Sequence, residues 1–383
     1  MILLALGALL GIVPFSVSLE IPPYTGKYNV GMTKQVIAVD PYPDFLAPGN
    51  ISTSFLATFF YPTLETPARP GTARYMDRGT ANTSEVIFEL PAGTLANLTS
   101  RIIWDAPFAK TLSQKEGHLS PTLIFSPALQ APSIEAYTLI LSELASQGYT
   151  VAALAHPYEL GYVLYPNGSE YYGQDVDYES DAASIFGVVY DRVNDTLAFI
   201  DTWPALSKTM GFPSATKHFG IFGHSIGGAV ALEVAQLVDP SIVVSGINLD
   251  GEFVLALNSS AADIKRPSLL LAHQGHNFTL DPTWATYTKQ QSDWWRFITV
   301  EGTGHWDFSD ATFWKELYQM INPVIIGDLS GTRMIEITKR LVGGFFNWTL
   351  LGHEDVTLFN HPALTFPELV LSGAHNGSQR KTT

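Results

Sequence analysis

The chain has 383 residues, of which 46% are hydrophobic and 15% charged, with a formal net charge of −15 and no cysteine. These values exclude long disordered tracts, a nucleic-acid partner dependent on clustered Lys and Arg, strong attraction to anionic lipid and any disulfide or thiolate metal site. The length fits one large α/β domain held by its own core.

The first residues, MILLALGALLGIVPFSVSLEIPP, give an apolar run of about a dozen residues, then Pro14, then the small-residue pattern Ser16-Val17-Ser18. This reads as a signal peptide over residues 1–18, too short to span a bilayer comfortably, and leaves 19–383 as the domain. Nine N-x-[ST] triplets support an extracellular, glycosylated chain: they begin at Asn50, Asn82, Asn97, Asn167, Asn194, Asn258, Asn277, Asn347 and Asn376. No stable membrane insertion is expected.

Up to about residue 120 the chain is rich in Pro, Gly, Thr and Tyr. There STSFLATFFYPT and SEVIFEL suggest strands forming an antiparallel edge on a larger sheet. Beyond it, short apolar runs alternate with helical patterns. PTLIFSPAL and YTVAALAHP read as buried strands around the helix SIEAYTLILSELASQG, capped by Ser133 and closed by Gly148. One βαβ unit of this kind implies a parallel sheet. The polar, Tyr-rich segment 158–182 follows a strand end, where a loop can cap a site. Next come the amphipathic stretch SIFGVVYDRVNDTLAFIDTW, the strand HFGIFGH, a helix from about Ile226 to Val238, and the strand SIVVSGINLD. The strands PSLLLAHQG and WRFITVEG flank the helix DPTWATYTKQQ, and two helices follow, near SDATFWKELYQMI and over TRMIEITKRLVGGFFNWTLL. The pattern is an α/β fold, a mostly parallel central sheet with helices on both faces and an antiparallel N-terminal edge.

The stretch FGIFGHSIGGAV, residues 219–230, sets Ser225 in a G-x-S-x-G string between a strand and a helix. A sharp turn there forces strained backbone angles on the serine and lifts its hydroxyl above the sheet. Side chains at Gly223 and Gly227 would collide with the packed strand and helix, while Gly228 serves close helix packing. A serine hydroxyl needs a base within hydrogen-bond reach and an acid to orient that base. Among the downstream histidines His273, His276, His305, His353, His361 and His375, only His305 sits in a loop leaving the last predicted strand, in FITVEGTGHWDFSD. His224, next to the serine, is expected to point away into the core. Of the candidate acids, Asp250 ends the strand after the elbow helix, whereas Asp281 lies further along a loop; a strand tip holds a carboxylate more rigidly. An oxyanion needs backbone donors, for which Ile226 and Leu129, just past the LIFS strand, are the candidates. Trp294, Trp295, Trp306 and Trp314, with the tyrosines of 162–178, could line an apolar acyl groove, although such residues more often fill core and rim.

Together LIFSPALQA, LASQGYTVAALAHP, FGHSIGGA, INLDGEF, GTGHWDFSD and GTRMIEITKRLVGGFF resemble the plasma-type platelet-activating factor acetylhydrolase family of serine-dependent α/β-hydrolases, over roughly residues 120 to 350. The combination with sequons and absent cysteine looks like a secreted fungal member. The resemblance implies an α/β-hydrolase fold, a Ser225–Asp250–His305 triad, and oxyanion donors at Leu129 and Ile226. Where the family carries a His-Gly pair after the strand-end serine, this chain has Pro127 and Ala128. It further implies hydrolysis of short-chain acyl esters or phospholipids through an acyl-enzyme, on a small-molecule ester or lipid, with no metal or organic cofactor. Alternatives on the same fold are a lipase, cutinase or polyester hydrolase, a peptidase or amidase, and a non-catalytic binding protein.

Overall fold

The computed structural model describes residues 19–67, 73–109, 120–176, 178, 182–213, 217–259, 262–318, 320, 325–353 and 356–377. The leader expected over residues 1–18 lies outside them. Strands β1 (Asn29–Pro43) and β2 (Ile51–Thr63) form a long antiparallel hairpin. The short pair β3 (Ala73–Arg74) and β4 (Thr99–Ser100) brackets helix α1 (Arg78–Ile87), and β5 (Ile103–Trp104) lies parallel along β1. Then follow β6 (Thr122–Ser126), α2 (Thr138–Ser146), β7 (Thr150–Ala155), the hairpin β8 (Tyr162–Leu164) and β9 (Glu170–Tyr172), and the long helix α3 (Ala182–Met210). The second half contains β10 (Phe219–His224), α4 (Ile226–Leu237), β11 (Val243–Leu249), β12 (Ser268–His273), α5 (Pro282–Gln290) and β13 (Trp294–Val300). It ends with α6 (Ala311–Leu317), α7 (Gly331–Leu351), α8 (Thr357–Asn360) and β14 (Leu369–Asn376).

Ten of these strands make one sheet in the order β14-β13-β12-β11-β10-β6-β7-β2-β1-β5. The six from β13 to β7 run parallel. The expected antiparallel edge is present: β2 pairs with β7 and carries β1 beyond it. Successive strand residues serve opposite faces. Phe125 and Phe222 pack with Leu144 of α2 and Phe346 of α7, whereas Ile124 and Ile221 pack with Trp203 of α3 and Val230 of α4. With both faces covered, these strands must be apolar throughout, which is why they read as unbroken apolar runs. Trp203 is fully buried and stacks on Phe59 at 5.2 Å; burial of one such large side chain is worth roughly 1.5–3 kcal/mol.

Two expectations are corrected. SEVIFEL lies mostly in α1 and forms no strand: Asp77 caps the helix by accepting from the Thr80 N–H, and the Glu85 carboxylate accepts from the N–H groups of Gly93 and Leu95 at 2.8 and 2.7 Å. These local bonds outweigh the β-branched character of Val86 and Ile87, both of which stay exposed. The sheet also gains β14 at its far edge, antiparallel to β13, in a tail with no sequence-based strand assignment. No helix among the described residues is long and apolar enough to cross a membrane.

Candidate active site

Ser225 stands on the turn between β10 and α4 with φ 57° and ψ −131°, a region that L-residues occupy only when the surroundings force it. Its N–H donates to Leu249 O at 2.7 Å, pinning the turn to the end of β11. The flanking glycines are steric requirements. A Cβ on Gly223 would lie 2.2 Å from Gly227 O, and one on Gly227 would lie 2.2 Å from Ser126 O. Helix α4 can therefore begin hard against the loop that leaves β6.

The parallel order places the carboxyl ends of β6, β10, β11, β12 and β13 side by side, and the chemistry-bearing residues gather there. They surround a cavity of about 640 Å³ lined by Ser225, Asp250 and His305, with Leu129 and Ile226 in its wall. All five site residues expected from the sequence are thus at one place. The N–H of Leu129 donates to no described partner, and Ile226 opens α4, where the first N–H groups have no acceptor within the helix.

Asp250 directly follows β11 in the left-handed conformation, φ 64°, and its N–H donates to Leu271 O at 2.8 Å. Its buried carboxylate faces three imidazoles. Oδ2 lies 2.5 Å from His305 Nδ1 and 2.6 Å from His273 Nδ1, while Oδ1 lies 2.7 Å from His276 Nδ1 and accepts from the His273 N–H at 3.0 Å. Burial alone would raise its pKa, but these hydrogen bonds outweigh it and hold the carboxyl well below the usual range. His305 thus has Nδ1 committed to the acid. Its Nε2 has no hydrogen-bond partner among the described residues, nor does Ser225 Oγ, and both side chains border the same cavity. Open geometry of this kind is common before substrate binds.

The runner-up acid, Asp281, belongs to the same network at one remove. It caps α5 by accepting from the Thr283 N–H at 2.8 Å, and its other oxygen lies 2.9 Å from His276 Nε2. His276 therefore bridges two carboxylates. Burial lowers its pKa, but bonds to Asp250 and Asp281 and the charge of both raise it to about 9. Because that value lies above the ordinary 6.5, the stability gained from charged His276 is complete below about pH 6.5 and is lost as pH rises through about 9. Melting temperature should fall over that window and the slope should flatten in His276→Gln; an unchanged slope contradicts the bridge.

His224 is buried, as expected, but it also contacts the site's frame. Its Nδ1 lies 3.0 Å from the Tyr137 hydroxyl and its Nε2 lies 2.9 Å from His305 O. Burial, then the neighbouring His305, lowers its pKa to about 3. A neutral ring donating from Nε2 to that carbonyl and accepting from Tyr137 satisfies both contacts.

Sequence reasoning set His273 and His276 aside; the available signal was H-Q-G-H directly at a strand tip. For the tryptophans, core and rim rather than an acyl groove is the role the structure gives. Trp314 is wholly buried, with its indole N–H donating to Tyr75, and Trp294 and Trp295 lie on β13 within the core. Trp306 packs edge-on to Phe88 and His224, and residues 162–178 contribute nothing to the described cavity wall. Besides Ile226, its apolar lining is Leu129, Ile185, Phe186, Phe253, Val254 and Leu280. One ligand atom each from Asp250, His273 and His305 lies within 4.8 Å of the others, a spacing compatible with a metal ion. His273 Nδ1 and His305 Nδ1 both bond to Asp250 Oδ2, so a cation held by these atoms would have to displace the protons that link them.

No family model matches the chain. Over 279 residues, 68% of this chain and 68% of the relative, it is 29% identical to a probable 1-alkyl-2-acetylglycerophosphocholine esterase of Arthroderma benhamiae, in agreement with the resemblance seen in the motifs. Its fold matches that of a ferulic acid esterase from Streptomyces cinnamoneus with a TM-score of 0.77, covering 93% of this chain and 100% of that one at 24% identity. The chain has an α/β-hydrolase fold.

Proposed function

We propose that this protein is a secreted serine hydrolase of carboxylic esters that acts through an acyl-enzyme and prefers short acyl chains, phospholipid-type esters included. One observation carries the reading: the strained Ser225 shares a cavity with an imidazole whose other nitrogen is held by a buried carboxylate. In this mechanism His305 Nε2 takes the hydroxyl proton as Ser225 Oγ attacks the ester carbonyl, and Asp250 stabilises the imidazolium that forms. The N–H groups of Leu129 and Ile226 receive the developing oxyanion. His305 returns the proton to the leaving alcohol, then activates the water that releases the acid.

The similarity to a probable acetylglycerophosphocholine esterase supports the substrate class, and a cavity of about 640 Å³ with apolar walls suits a small acyl group. The sequons support export. Asn50, Asn82, Asn97, Asn167, Asn258, Asn277 and Asn376 are exposed and able to carry glycans, while Asn194 and Asn347 are half-buried and Asn347 accepts from the Tyr149 hydroxyl at 2.8 Å. A panel of nitrophenyl esters tests the class: acetyl and butyryl esters should exceed palmitoyl by at least about tenfold in kcat/KM. Preference for the long chain would point to a lipase, and equal turnover of a matched amide would point to an amidase.

A further inference from the structure

We propose that Arg192, buried in α3 and absent from the cavity wall, is the positioning residue that fixes the Leu129 oxyanion donor by holding the three residues before it. The inference rests on Leu129 serving as that donor.

Arg192 has no exposed surface. Its guanidinium carries five N–H groups, and each has an acceptor. Nε donates to Glu159 Oε2 at 2.7 Å, and Nη2 donates to Glu159 Oε1. Nη1 donates to Ser126 Oγ at 3.1 Å and to Pro127 O, and the remaining Nη2 hydrogen goes to Ala128 O at 3.1 Å. One planar cation therefore holds residues 126, 127 and 128 in succession, and Leu129 is next. The opposite side of the segment is held as well. Ala128 donates its N–H to the Tyr137 hydroxyl at 3.1 Å, and a Cβ on Gly227 would meet Ser126 O and Pro127 O at 2.2 and 2.5 Å. Past Leu129 the chain turns through Gln130 at φ 51°.

The chemistry explains the choice of side chain. Ser126 still pairs with Gly223 of β10, but past it the segment leaves the ladder, where Pro127 O and Ala128 O need donors, the latter also accepting from the Ala131 N–H at 3.3 Å. A rigid fork supplies several at once in one plane; a lysine supplies a point charge on a flexible stem. Glu159, itself buried, neutralises the cation and sets the plane of the fork. An oxyanion donor works only if it is already aimed where charge develops, so a loop clamped before substrate arrives is what the reaction needs. The clamp stands where this chain has Pro127 and Ala128 in place of the family's His-Gly pair.

A purely structural arginine and a positioning arginine differ in their kinetics. Arg192→Lys should lower kcat by about 10²-fold, the scale of one lost oxyanion donor, with KM changed no more than about threefold. Because breaking a buried pair can cost the fold, the double variant Arg192→Met with Glu159→Leu removes both charges together; it should stay folded by melting temperature and circular dichroism and show the same kcat loss. Phosphonylation by a fluorophosphonate, whose oxygen occupies the same hole, should slow by a similar factor in both. Folded variants that keep kcat within about threefold, or lose activity only through KM, overturn the proposal. If Ser225→Ala also keeps full turnover, the nucleophile assignment has failed instead, and the two results are separable.

Discussion

Asp250→Asn is expected to lower kcat by about 10⁴-fold, because an amide cannot hold His305 in the tautomer that accepts the serine proton, nor stabilise the imidazolium. The fold should survive. Asn tolerates the left-handed angles that Asp250 occupies, keeps one carbonyl acceptor, and fills nearly the same volume. The comparison that decides between the two acids is Asp281→Asn. That residue reaches Asp250 only through His276 and contacts neither Ser225 nor His305, so its loss should cost about tenfold or less, acting through the placement of Asp250. Measured on one short-chain ester, the two variants should differ by roughly three orders of magnitude. Equal losses would mean that the carboxylates act as a single unit and that the triad has been drawn too narrowly.

Ser225→Ala should reduce turnover by about 10⁵-fold or more, leaving a residue of catalysis from binding and backbone donors. A second readout comes from the strain. Ser225 holds φ 57° and ψ −131°, at a cost of order 1–3 kcal/mol for an L-residue. Alanine keeps that cost, whereas glycine removes the Cβ that causes it. Ser225→Gly should therefore melt higher than Ser225→Ala while being equally inactive. Such a gain would be a stability–activity trade-off localised to one residue. Equal melting temperatures for the two variants would argue that the turn is relaxed.

The parts of this molecule that could be read from its sequence are those fixed by local packing. An apolar strand, a glycine-flanked serine and an apolar helix can join in few ways, and the collisions foreseen at Gly223 and Gly227 are present. The core strands were legible because burial on both faces leaves no polar positions. What was missed turns on specific partners, some local and some distant. Val86 and Ile87 have strand character, but a cap at Asp77 and the carboxylate of Glu85 make their segment a helix. The tryptophans are large and apolar, but abundance carries no address: Trp294 and Trp295 on β13 and Trp314 on α6 fill the core, Trp306 packs on Phe88 and His224, and residues of α3 and of the loops after β6, β11 and β12 wall the cavity. Choosing Asp250 over Asp281 followed from the strand tip, yet sequence spacing could not reveal that His276 ties the two together. Arg192 was the least legible. In VVYDRVNDT it looks like the solvated face of a helix, and only the fold shows its five hydrogens spent on Glu159 and the loop before Leu129.

The most direct test is covalent. After reaction with a fluorophosphonate, mass spectrometry of the digested protein should find a single adduct, on Ser225, and the Ser225→Ala chain should remain unlabelled. An adduct on another residue, or continued ester turnover by unlabelled enzyme after full reagent exposure, would contradict the account at its centre.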